Sequence, residues 1–368
     1  MKRFLILSAA LLMVVALKAQ NDYAFEPIND IETSTVKSQD RTGTCWCYST
    51  VSFIETELMR MGQEEVDLSE MYIVKKAYEQ KASDYIRYHG KGNFSQGGQA
   101  HDVMNEIIDH GMVPETAYSG IQYGTERHNH TEMVSVLSHM LEGVLASRSR
   151  TLTNAWEPAF ESALAAYLGE DPTTFSYEGE AYTPQSYLKS TGFNPEDYVE
   201  FTSYTHHPYY QQVILEVPDN WSNDPYYNLP LDELMEVMDY SLKEGYSVVW
   251  DGDVSHKGFS HKAGVAVVPA DEEAEFAEEP IEEKDITVDY RQKMFNNHAT
   301  TDDHLMHLTG LYKDKNGTVY YKTKNSWGTD SNDFGGFLYM SEPYMRLSTV
   351  AIMVHKDAIP ERIAKKLK

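Results

Sequence analysis

Residues 39–61 read QDRTGTCWCYSTVSFIETELMRM. From Cys45 onward the stretch contains neither proline nor glycine. Trp46, Thr50, Phe53, Ile54 and Leu58 recur at helical spacing, which predicts a buried helix. Thr42-Gly43-Thr44 suits a turn running into that helix's N-terminus. Cys45 therefore stands at a helix start. There the macrodipole and unpaired N–H groups favour a thiolate over a thiol whose ordinary pKa is about 8.5.

Moving outward, LSEMYIVKKAYEQKA (68–82) predicts a second helix, capped by Ser69. SQGGQAHDVMNEIIDHGMVP (95–114) reads as a glycine loop and an amphipathic helix ending at Gly111. Residues 132–168 carry helical periodicity, whereas 170–230 are rich in Tyr, Pro and Asn and show no regular pattern. LDELMEVMDYSLKEG (231–245) is a helix stopped by Gly245, and YSVVWDGDV (246–254) and KAGVAVVP (262–269) read as strands. The acidic run 271–285 reads as a solvated loop, and residues 20–40 as extended. HLMHLTGLYKDKNGTVYYKTKNSW (304–327) alternates like a hairpin turning at Lys315-Asn316-Gly317. GGFLYMSEPY (335–344) and LSTVAIMVH (347–355) read as further strands. Helices precede antiparallel strands, which predicts an α+β protein with a helical half and a sheet half.

The chain has 368 residues, 41% of them hydrophobic, with 26 Tyr, enough for a sizeable core. A formal net charge of -26 argues against nucleic-acid partners and anionic membrane surfaces. Lys2 and Arg3, the apolar run from Phe4 to Leu17, and Ala19 before Gln20 read as a signal peptide over residues 1–19. Export to a periplasm or the medium is the expectation. The main domain then spans 20–368.

Cys45 and Cys47 are the two cysteines, so an exported chain carries no disulfide framework. One residue between them disfavours pairing, and a metal site would need more ligands. Reactivity is the better explanation for Cys45, with Cys47 read as a small buried thiol. A cysteine nucleophile needs a base brought from elsewhere in the chain. His304, opening the hairpin in the sheet half, is the best candidate; His307 and His298 are its rivals. Asn325 ends the opposing hairpin strand, placed to hold the imidazole by its amide oxygen, with Trp327 as a shield. Gln39, six residues before Cys45, offers an amide for an oxyanion hole together with the Cys45 backbone N–H.

QDRTGTCWCYS (39–49), LSEMY (68–72) and KTKNSWG (322–328) resemble papain-type cysteine peptidase segments. QGGQAHDVMNEIIDHGMVP, YTPQSYL (182–188), 231–254 and RQKMFNNHATTDDHLMHLTGL (291–311) are similar to the bleomycin hydrolase and aminopeptidase C branch. The resemblance covers most of residues 30–360. It implies a two-lobed papain-like fold: a helical lobe over about 40–130, a sheet lobe over about 246–360, and insertions at about 130–230 and 255–295. It implies Cys45 as nucleophile, His304 as general base and acid, Asn325 as orienting group and Gln39 as oxyanion donor. It further implies that Gly97 and Gly98 offer backbone to an extended peptide substrate, that no cofactor or metal takes part, and that a homo-hexamer is possible. The branch's C-terminal arm, which limits it to N-terminal residues, has no evident counterpart in AIPERIAKKLK (358–368), so endopeptidase activity also stays open. Two other readings remain. One is an inactive papain-like peptide-binding protein; the other is a thiol hydrolase of non-protein amides.

Overall fold

The computed structural model describes residues 22–122, 124–148 and 151–368. The signal-like segment 1–19 lies outside them.

The helices are α1 (Cys45–Arg60), α2 (Glu70–Arg87), α3 (Ala100–His110), α4 (Thr131–Leu145), α5 (Trp156–Leu168), α6 (Pro184–Thr191), α7 (Leu231–Lys243), α8 (Val288–Asn296), α9 (Glu342–Ser348) and α10 (Glu361–Ala364). The strands are β1 (Glu26–Asp30), β2 (Phe175–Tyr177), β3 (Glu180–Tyr182), β4 (Tyr198–Thr202), β5 (Gln212–Ile214), β6 (Pro225–Asn228) and β7 (Val248–Gly252). They continue with β8 (Phe259–Ser260), β9 (Val265–Ala266), β10 (His304–Lys313), β11 (Val319–Lys324), β12 (Phe337–Ser341) and β13 (Thr349–His355). All but β2 and β3 join one sheet in the order β5-β6-β4-β13-β7-β10-β11-β12-β9-β8, with β1 also paired to β10. This is the expected α+β class, with one difference. The irregular stretch 170–230 supplies β4–β6, which extend the sheet beyond β13.

Local chemistry explains the elements. Ser69 caps α2, its Oγ accepting from Tyr72 N at 3.2 Å. Gly111, at φ +78, ends α3. Gly317, at φ +87, closes the β10–β11 turn, where a side chain would be strained. SEPY, read as strand, instead starts α9: Ser341 Oγ accepts from Tyr344 N at 3.2 Å, and Pro343 occupies the first turn.

Two cores flank the sheet. On one face α1–α6 pack together and against Val249, Leu305 and Met353. On the other, α7 and α9 cover Val248, Trp250, Met306 and Leu308. Alternate strand residues feed opposite cores, as strand geometry requires. Helix α1 is buried from Trp46 to Leu58 and lies against β10, so the two halves meet along it. Its buried Glu55 accepts from Lys37 Nζ at 2.8 Å, from Leu68 N at 2.9 Å and from Ser34 Oγ. Lys324 Nζ in turn donates to Ser34 O at 2.6 Å and Oγ at 3.0 Å. The segment 34–37 is thereby held between α1 and the end of β11.

His101 on α3 ties the helices to the added strands through a 2.6 Å contact with Glu200 on β4. Burial opposes charge on the imidazole, but Glu200, Asp102 and Asp224 outweigh it and raise its pKa to about 9. A raised pKa stabilises the folded state fully below the unfolded value of about 6.5, and the effect is lost as pH climbs through about 9. We expect a loss on the order of 3 kcal/mol across that window. Denaturant midpoints should fall between pH 6.5 and 9 in the wild type and stay flatter in His101→Gln. Parallel curves for the two proteins would show that His101 does not carry the effect.

Candidate active site

Cys45 is the first residue of α1, so its N–H has no acceptor within the helix. It is partly exposed, whereas Cys47 is fully buried and turns its thiol to Glu70 O at 3.4 Å. Native protein should therefore incorporate one equivalent of iodoacetamide, at Cys45, and a second only after unfolding. Peptide mapping by mass spectrometry checks this, and labelling of Cys47 in the native state would contradict it.

His304 opens β10, and its neighbour Leu305 directs its backbone N–H to the Cys45 thiol. The imidazole Nε2 lies 2.8 Å from Asn325 Oδ1. The proton's place can be assigned from the neighbours. Ser326 N–H donates to the same Asn325 oxygen at 2.8 Å, which fixes the amide's orientation. His304 Nε2 must then carry the hydrogen, leaving Nδ1 as the basic nitrogen. Trp327 covers the ring, with centroids 5.2 Å apart.

Residues 37–39 run antiparallel to 326–328, through a Ser38–Trp327 bridge and a 2.8 Å bond from Gln39 N to Ser326 O. This pairing brings Gln39 beside Asn325. Gln39 Nε2 donates to Thr42 O at 2.8 Å while its Oε1 accepts from Ser326 Oγ at 2.6 Å. The side chain is pinned, with one amide hydrogen left over.

The rival histidines sit elsewhere. His307 is buried with Nδ1 3.0 Å from Ser52 Oγ, about two turns along α1, and His298 is on an exposed turn at φ +61. Gly98 approaches so closely that an added Cβ would lie 3.0 Å from both Trp46 and Asp102. Gly97 is also close-packed, with the Asp219 carboxylate against its Cα and Lys81 Nζ on its carbonyl. The Asp219 carboxylate therefore fills the space where a Cβ of residue 97 would stand.

Four residues at this centre were absent from the sequence reading. His261 Nδ1 accepts from Asn325 Nδ2 at 3.2 Å, and its Nε2 contacts Ser331 Oγ at 2.8 Å. It secures the amide that secures His304. Its only sequence signal was its position just ahead of a predicted strand. Asp219, Asp251 and Asp302 were missed as well, and all three act electrostatically on Cys45.

Burial pushes the Cys45 thiol up to about 12; Leu305 N–H opposes this, and the three aspartates add to it. Burial likewise lowers His304 to about 4, against the Asn325 hydrogen bond. The helix start expected to yield a free thiolate is thus outweighed by desolvation. Both shifts favour the neutral forms.

The Peptidase C1-like family model matches residues 7–368. The chain belongs to the Peptidase C1-like family. Aminopeptidase W of Lactobacillus delbrueckii subsp. lactis is 23% identical, over 92% of this chain and 85% of its own length. Bleomycin hydrolase of Mus musculus is 24% identical, over 93% and 84%. The crystal structure of PepW from Lactobacillus rhamnosis superposes with a TM-score of 0.73 at 18% identity, covering 93% of this chain and 84% of that one. The fold is the papain-like α+β fold, and membership of the C1-like family makes the chain a hydrolase of the cysteine peptidase class.

Proposed function

We propose that this protein hydrolyses peptide bonds with Cys45 as nucleophile and His304 as base and acid, and that it removes residues from free N-termini. The observation that carries the reading is the His304–Asn325 contact, oriented by Ser326 N–H, at the start of the strand that packs against the helix Cys45 begins. Cys45 Sγ attacks the carbonyl carbon while its proton passes to His304 Nδ1. Charge developing on the carbonyl oxygen is held by Cys45 N–H and the remaining Gln39 amide hydrogen. His304 then protonates the leaving amine, and afterwards draws a proton from the water that releases the acyl group. Asn325 keeps the ring in the required tautomer throughout. The signal-like residues 1–19 support action outside the cytoplasm.

The aminopeptidase direction draws on relatives named aminopeptidase W and aminopeptidase C. Residues 361–368 pack against α7 and Tyr210: Arg362 pairs with Glu233 at 3.1 Å, Lys366 with Glu233 at 2.6 Å, and Ile363 is fully buried. A peptide mixture with free and with acetylated N-termini, analysed by mass spectrometry, tests both points. Stepwise loss from free termini alone is expected. Internal cleavage of acetylated peptides would leave the peptidase mechanism standing and overturn the N-terminal restriction.

A further inference from the structure

Asp251 lies on β7 directly opposite Leu305 of β10, so both side chains share the sheet face turned to the helical half. It is 3% exposed, and no group other than the Asp302 carboxyl offers its oxygens a hydrogen bond among the described residues. Asp302, two residues before His304, faces it within hydrogen-bonding reach and has one donor, Gln99 Nε2 at 2.8 Å. Gln99 is itself held by Tyr226 O–H at 3.2 Å. Asp219 completes the group from the loop crossing Gly97, with Asn93 Nδ2 at 2.9 Å and Ser95 Oγ at 3.4 Å on one oxygen. No ion pair engages any of the three among the described residues. Lys81 turns its ammonium to the Ser95 and Gly97 carbonyls and is stabilised by the field of Asp219 without pairing with it.

Carboxyl groups gathered beside a nucleophile without an ion pair are costly twice over. They repel one another where water is scarce, and they oppose formation of the thiolate. A positive group arriving with the substrate relieves both. We propose that Asp251, Asp302 and Asp219 form a subsite for a cationic group on the acyl side of the scissile bond, either the free α-ammonium or a Lys or Arg side chain. The acyl side is assigned because the leaving amine must approach His304, which Trp327 covers. The subsite rests on the peptidase reading above and names its substrate class. Binding there also couples recognition to chemistry, since the arriving cation offsets the field that holds Cys45 neutral.

Calorimetric titration of the Cys45→Ala protein separates recognition from turnover. The probes are norleucine amide (α-ammonium only), acetyl-arginine amide (guanidinium only), arginine amide (both) and acetyl-norleucine amide (neither). At least one singly charged probe should bind roughly tenfold to a hundredfold more tightly than the neutral one, and which one does so identifies the source of the charge. Asp302→Asn, added to the same background, should bring that ratio towards one. Asp251→Asn should do likewise. If Asp251→Asn fails to fold, the more exposed Asp302→Asn still decides. Equal binding of charged and neutral probes, or a ratio untouched by Asp302→Asn, overturns the subsite. Wild-type turnover of peptides is scored separately. Cleavage without charge preference removes the subsite alone, while charge-selective binding without any cleavage removes the peptidase reading alone.

Discussion

Cys45→Ala is expected to lower kcat for peptide hydrolysis by about 10⁴–10⁶ while leaving the fold intact, because alanine at the head of α1 removes the only atom that bonds to substrate. His304→Ala should cost about as much. The thiol is held neutral by burial, so without a base at Nδ1 its proton has nowhere to go. The double variant should lose no more than either single one, since residues acting as one unit do not contribute additively. Asn325→Ala sits lower on the scale. The ring remains but its tautomer and tilt are released, and a loss of about 10–100-fold is expected. Initial rates on the best peptide from the mixture, normalised to folded protein concentration, measure all four. If Cys45→Ala turned over peptide at the wild-type rate, Cys45 would not be the nucleophile; if the wild type itself turned over none, a binding role for the papain-like fold would take the place of the mechanism.

Glu55→Ala is expected to destabilise the protein by about 3–5 kcal/mol, the range seen when one partner of a buried charged network is removed. Glu55 is fully buried and serves Ser34, Lys37 and the Leu68 N–H together. Lys37 keeps Glu70 at 2.8 Å and Asp67 at 2.6 Å, so its charge stays partnered. The Leu68 N–H and the Ser34 hydroxyl lose their acceptor, and Lys324 loses the anchor that kept Ser34 in place. Because 34–37 leads directly into Gln39, activity should fall further than the unfolded fraction explains. Glu55→Gln, which keeps an acceptor without the charge, should lie between. Urea titrations with an unchanged slope would locate the effect in stability. A midpoint equal to wild type would show that Ser34 and Leu68 find other partners.

What could be read from the sequence, and what could not, follows from the range of the forces involved. Helix α1, the Ser69 cap, the Gly111 stop and the Asn316-Gly317 turn depend on neighbours a few residues apart, and periodicity and capping report such neighbours directly. Strands β4–β6 had no such signal, since β4 is matched by β13, far away in sequence, with β6 and then β5 added beside it, and short strands of mixed character gain their form from such pairing. At the centre, Cys45, His304, Asn325 and Gln39 stood out because a thiol, an imidazole and two amides supply the parts of one reaction. Nothing local marks His261 as the partner of Asn325. Asp219, Asp251 and Asp302 looked like ordinary members of an acidic chain until a loop, a strand and the approach to β10 brought them to one place. The pKa of Cys45 failed to follow the helix-dipole argument for the same reason, because the depth of burial is set by the whole fold.

The crossing of residues 37–39 over 326–328 bears on how the chain is made. At roughly 5–20 residues per second, His304 leaves the ribosome roughly 15–50 s after Cys45. Ser38 cannot find Trp327 any sooner, nor β1 its partner β10. On the proposed mechanism, the nascent chain throughout that interval holds a cysteine without its base, its orienting amide or a completed oxyanion site. Synthesis itself therefore delays proteolytic competence until nearly the last segment has emerged, and the growing polypeptide is spared its own nucleophile.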